Sequence, residues 1–198
     1  MKDRPEDLSI SRRTAVSSFA SLLFALPAQS AFAGLLRPAP KFDPKYELAV
    51  DVEIAPQEGF RIHRPYVAVW IEDKDGKSVR TLSLWVETDR RGPRWIPDLR
   101  RWWRDAQSPV TAVGGDLIKT TSSATRNPGK YQVVWDGKND KGALVDQGEY
   151  TLFIEAAREH GTYQLTTQKL KIGKAPFKAK YDGNPELAGG TVELRKRN

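Results

Sequence analysis

Apolar residues recur at every second position from Tyr46 to Ile54, where Tyr46, Leu48, Val50, Val52 and Ile54 alternate with Glu47, Ala49, Asp51 and Glu53. A period of two turns one side of an extended chain into a core and the other into water, so this segment predicts a strand. Residues 66–72 are rich in β-formers and close on Asp73-Lys74-Asp75-Gly76, whose Asp-Gly pair suits the positive backbone angles of a tight turn. Residues 77–86 then return, with Val79, Thr81, Ser83 and Trp85 on one face and Arg80, Leu82, Leu84 and Val86 on the other. A β-hairpin over 66–86 follows.

Between Glu87 and Ser108 the alternation stops, and residues 98–104 suit a short surface helix on which Leu99, Trp102 and Trp103 share a face. Small and hydroxylated residues over 110–128 read as a loop. Residues 130–135 resume as a strand, the turn cluster 136–142 follows, and 148–156 is a second strong strand, which together predict a second hairpin. A last strand is expected at 162–172, and 174–198 reads as a basic, glycine-bearing tail with one edge strand at 191–194. Several short strands with turn signals and one surface helix predict a mainly β protein, a β-sandwich, with no internal repeat.

The amino-terminal pattern is of another kind. Ser11-Arg12-Arg13-Thr14 precedes an apolar stretch over 16–26, which is followed by Pro27 and Ala31-Phe32-Ala33. Paired arginines, an apolar run and a small-x-small box match a twin-arginine signal peptide over 1–33, cut after Ala33. The apolar run falls short of the roughly 20 residues that span a bilayer, which favours a cleaved signal over an anchor. Residues 34–44, with Pro38, Pro40 and Pro44, read as a linker. The domain is therefore expected over 45–173, in a periplasmic protein whose mature form is peripheral to the membrane rather than inserted.

Composition narrows the chemistry. The 198 residues contain no cysteine, which removes disulfides, thiolate metal sites and thiol catalysis. Net charge is +7, and +6 once residues 1–33 are set aside with their four basic and three acidic residues. Such a balance suits solubility or anionic partners, while export takes nucleic acid out of reach. No Gly-x-Ser-x-Gly elbow, His-Glu-x-x-His pair or glycine-rich phosphate loop is present, so no stand-alone enzyme is read from the sequence.

The run Trp135-Asp136-Gly137-Lys138-Asn139-Asp140-Lys141-Gly142, followed by Gly148-Glu149-Tyr150-Thr151, resembles the Ig-like domain of the flagellar hook-cap protein. With 64–70, 99–104, 124–129 and 155–161, the chain resembles a family of predicted periplasmic proteins of unknown function over about residues 46–172. The resemblance implies an Ig-type fold and a setting beside PepSY-domain membrane reductases and flavin transferases, in extracytoplasmic redox or iron acquisition.

Ser122-Ser123-Ala124-Thr125 resembles the short sequence in which a flavin transferase esterifies FMN to the last hydroxyl, which makes Thr125 the candidate acceptor. Small neighbours leave room for the transferase and a bulky phosphate. The place six residues earlier, acidic in such motifs, holds Lys119, with Asp116 three residues further back. Beside Arg126, the segment with Trp95, Arg100, Arg101, Trp102, Trp103 and Arg104 could stack on a planar ring and grip a phosphate, since indoles offer flat faces and guanidinium groups fork onto phosphate oxygens. The same spacing also serves a core-packing helix.

Two further readings stay open. His63 and His160, with Glu155 and Glu159 flanking the latter, could ligate a metal ion, although the spacing matches no known ligand pattern. Alternatively the domain is a cofactor-free Ig-like adaptor that binds a partner through a sheet edge or its tryptophans.

Overall fold

The computed structural model describes residues 38–58, 63–106 and 117–197. The expected signal peptide, the start of the linker and residues 110–116 of the expected loop lie outside the described residues.

Among the described residues nine strands form two sheets. The first has the order β5 (Gly129–Trp135), β1 (Tyr46–Ile54), β9 (Gly190–Lys196), β8 (Phe177–Tyr181), antiparallel throughout. The second has the order β4 (Ser122–Ser123), β3 (Ser78–Trp85), β2 (Tyr66–Asp73), β6 (Gly148–Ala157), β7 (Tyr163–Ile172), antiparallel except for the parallel β3–β4 pair. Their facing sides bury Leu48, Val50, Val52 and Ile54 of β1 against Val67, Val69 and Ile71 of β2 and Leu152, Ile154 and Ala156 of β6. This is the expected β-sandwich, and β1 and the 66–86 hairpin stand where the alternation put them.

Strand β2 is buried along nearly its whole length because the second sheet is covered on both faces. A 3-10 segment (Gly92–Asp98) and helix α1 (Arg100–Ala106) lie over its outer side. There Ile96, Leu99 and Trp102 pack on Tyr66, Ala68, Trp70, Leu84 and Val86 to form a second core. The face assignment over 77–86 needs correction. Pairing slips between Val69 and Trp70 and between Ile71 and Glu72, and such bulges reset the two-residue phase. As a result Val79, Leu82 and Trp85 pack toward the sandwich, whereas Thr81 accepts the Trp102 indole N–H at 3.1 Å on the helix side.

Three other expectations are corrected. Strands β5 and β6 belong to different sheets, so they form no hairpin; the connecting residues 136–147 cross between the sheets. Residues 117–123 are not loop, because helix α2 (Leu117–Thr121) leads into β4. The carboxy-terminal residues are no tail: β8 and β9 complete the first sheet, with Val192 and Leu194 fully buried. The packed unit also begins before Lys45, because the Phe42 ring is buried beside Trp135, with ring centroids 5.6 Å apart. Gly137 makes this possible. Its φ of +75° suits glycine, and a Cβ there would overlap the Phe42 ring. The Trp-Asp-Gly-Lys-Asn-Asp run is thus a structural anchor, with Asn139 Oδ1 accepting the N–H groups of Lys141 and Ala143 at 3.0 Å each.

Candidate functional site

Strand β4 pairs in parallel with the end of β3, Leu84 with Ser122 and Trp85 with Ser123, and the Val86 N–H donates to the Ser123 carbonyl at 2.9 Å. This short pairing pins the hydroxyl-rich segment and delivers Thr125 to the rim of the second core. Thr125 is half-buried there, on the wall of an open cleft of about 450 Å³. That size falls within the roughly 300–1,000 Å³ usual for small-molecule sites.

The opposite walls come from residues 63–65 and the start of β2, the turn after β3, the 3-10 segment and the β6–β7 turn. They contribute Arg64, Arg90, Arg91, Arg94 and Trp95, together with His63, Tyr66 and the carboxylates Glu87, Asp89, Asp98 and Glu159. The Arg94 guanidinium lies 4.5 Å from the Trp95 ring centre, a cation–π contact that orients both. Glu159 Oε1 is 3.8 Å from Arg94 Nη2 and 3.8 Å from His160 Nε2, and Oε2 is 3.5 Å from His63 Nδ1. The His160 ring stands 6.1 Å from Trp95 and 6.3 Å from His63. The buried Tyr66 hydroxyl donates to the Gly92 carbonyl at 2.9 Å and ties the 3-10 segment to β2. Burial pushes the Tyr66 phenol pKa up, so it remains a donor.

Backbone strain gathers here too. Arg90 (φ 51°) and His160 (φ 56°) are the non-glycine residues with positive φ among the described residues, one lining the cleft and the other beside it. Such angles cost an L-residue roughly 1 kcal/mol or more and persist where the surroundings impose them.

The fold distributes the expected site residues unevenly. It brings Thr125, Trp95, His63, Glu159 and His160 to one place. It takes others away. Trp102 is buried in the second core, and Arg101 holds both oxygens of the buried Glu72 at 2.8 and 2.7 Å, so neither is open to a flavin. Trp103 packs against the second core. The Arg100 guanidinium covers the Tyr163 ring at 4.9 Å, and that of Arg126 faces Trp85 and Tyr131 at 5.8 Å from each; neither lines the cleft. Exposed Arg104 pairs with Asp105 at 3.4 Å. Nor is Glu155 a ligand beside His160. It is fully buried, and its carboxylate oxygens accept the N–H groups of Arg101 and Trp102, at 2.8 Å each, at the start of α1. His63, His160 and Glu159 do meet, yet no group of three His, Asp or Glu side chains among the described residues is arranged to hold a metal ion.

Sequence reasoning missed Arg64, Arg90, Arg91 and Arg94. The available signal was the density of arginine in Arg90-Arg91-Gly92-Pro93-Arg94 just ahead of Trp95, in a stretch without periodicity.

The architecture is that of a β-sandwich with a helical cover on one sheet and, at its edge, a cleft lined by arginines and carboxylates in equal number. A family model described as "Predicted periplasmic protein (DUF2271)" matches residues 47–189, and the chain belongs to that family. No curated protein and no solved structure matches the chain. Among the described residues no helix is long and apolar enough to cross a membrane.

Proposed function

We propose that this protein is exported by the twin-arginine route and carries FMN as a phosphate ester on Thr125. In this reading it serves as an electron carrier or accessory beside a PepSY-type membrane reductase, in extracytoplasmic redox or iron acquisition. The observation that supports the reading most is the position of Thr125. Its half-buried side chain lines a cleft shared with four arginines and Trp95, with the small residues Ser123 and Ala124 next to it in the chain. The donor set suits the group: guanidinium forks match phosphate oxygens, and an indole offers a flat face to a planar ring. Bound flavin supplies electron-transfer chemistry, while the protein supplies position and electrostatics.

Loading needs a flavin transferase and FAD. The Thr125 oxygen forms a bond to the FMN-side phosphorus as the pyrophosphate link breaks, AMP leaves, and the hydroxyl proton passes to a base; no electrons are exchanged. Here Tyr66 and Gly92 hold the cleft wall, and Arg94 keeps the Trp95 ring oriented. The test is intact mass after co-expression with a flavin transferase. A gain of one FMN less one water, with yellow colour, is expected, and Thr125→Ala should abolish both. Colourless protein of unchanged mass would leave the cofactor-free adaptor.

A further inference from the structure

We infer that the cleft recognises flavin mononucleotide by itself, phosphate and ring together, before and independently of any bond to Thr125. The inference rests on the reading of the cleft as a flavin site and names the groups that select the ligand. Arg64, Arg90 and Arg91 are exposed on the cleft wall, and none of the three forms an ion pair among the described residues. An arginine in that condition keeps its full fork of donors for a phosphate. Arg94 differs, being shared between Glu159 and the face of Trp95. It is a positioning residue that orients the indole, leaving Arg64, Arg90 and Arg91 for the anion, of which Arg90 sits at the positive-φ position of its turn.

The carboxylates on the walls sharpen the selectivity. Glu87, Asp89, Asp98 and Glu159 balance the four arginines in number, so the cleft is no general trap for anions. Free phosphate gains the arginines but meets the carboxylate field with nothing to offset it. A phosphate carrying a flat aromatic ring adds contact with Trp95, which is half-buried and packed against the second core. The chemistry selected is therefore a planar aromatic phosphate monoester.

The test uses the full chain produced without a transferase and carrying Thr125→Ala, titrated with FMN, riboflavin and inorganic phosphate while tryptophan fluorescence is followed. Saturable FMN binding is expected, with riboflavin at least tenfold weaker and phosphate competing only at far higher concentration. The double variant Arg64→Gln/Arg91→Gln, whose side chains are exposed, should weaken FMN at least tenfold and leave riboflavin unchanged. Trp95→Phe should weaken both flavins, and its unfolding midpoint checks that it folds. Absence of saturable binding, equal affinity for FMN and riboflavin, or arginine variants that bind as the parent does would each overturn the inference. So would binding to phosphatidylglycerol vesicles that depends on Arg64 and Arg91 while FMN binding does not, since the arginines would then serve a lipid surface. The two readings fail separately. Mass gain without free FMN binding sinks recognition and keeps the ester, whereas FMN binding without mass gain does the reverse.

Discussion

At the scale of single residues, the cleft depends on a glycine that no turn motif announces. A Cβ on Gly92 would sit 2.5 Å from the Glu87 carbonyl oxygen and overlap that residue's side chain, so the chain closes tightly here only without one. Gly92→Ala should cost about 1–3 kcal/mol through overpacking, read as a lower urea midpoint. It should also lower transferase-dependent mass gain by displacing the wall tied to Tyr66. Thr125→Ala, in contrast, removes one hydroxyl and one methyl group from a half-buried side chain on the cleft wall, and its midpoint should stay close to the parent's. The two substitutions therefore separate architecture from chemistry. Thr125 was legible because a short motif marks it. Arg64, Arg91 and Arg94 were not, because arginine on an irregular segment leaves no periodic trace and only folding sets them around one space.

At the scale of elements, α1 is held less by its own sequence than by two buried carboxylates beneath it. Glu155 on β6 accepts the N–H groups of Arg101 and Trp102, which begin the helix and have no partner within it. Glu72 on β2 takes the Arg101 guanidinium and the Trp70 indole N–H. Glu155→Ala should cost on the order of 3 kcal/mol, because buried donors lose a charged acceptor. The near-UV signal of Trp102 should weaken with it. Burial raises the Glu155 carboxyl above its usual pKa of 4.5, outweighing the N–H groups and Arg101 that favour the anion. The native state thus holds this proton more tightly than the unfolded chain does. Its contribution to stability is full below pH 4.5 and is lost as pH rises through the elevated folded value. Urea midpoints followed upward from acid pH should fall less steeply in Glu155→Gln than in the parent. The periodic pattern assigned Leu99, Trp102 and Trp103 to one helix face, and all three do meet the second core. What it could not show was that a glutamate in a distant strand would receive the helix's free donors.

At the scale of the whole molecule, the carboxy-terminal residues decide whether there is a sandwich at all. Strand β9 lies between β1 and β8 and buries Val192 and Leu194, while Tyr181 and Leu187 close the same core. Ending the chain after Lys174 would strip β1 of one partner along Tyr46–Val50 and expose that core. Such a truncation is expected to yield no cooperatively folded protein, measured by loss of near-UV circular dichroism and of a urea transition. Cleavage of a dispensable tail would leave both intact. The lysines and glycines over 174–198 masked this role, because a strand that is apolar at only two or three positions resembles a polar tail until its neighbours are known.

Local order came from the sequence alone. The two-residue alternation of β1, the Asp-Gly turn of the β2–β3 hairpin and the turn chemistry of Asp136-Gly137 depend on neighbours a few positions away, and the backbone obeys them wherever the segment ends up. Tertiary structure decided the rest: which strands share a sheet, where bulges reset the faces of β3, and which arginines are consumed by buried carboxylates. The physical reason is that pairing and ion-pair formation are non-local. Arg101 and Arg91 are alike as residues ten positions apart, and only packing gives one a buried glutamate and leaves the other facing a cleft.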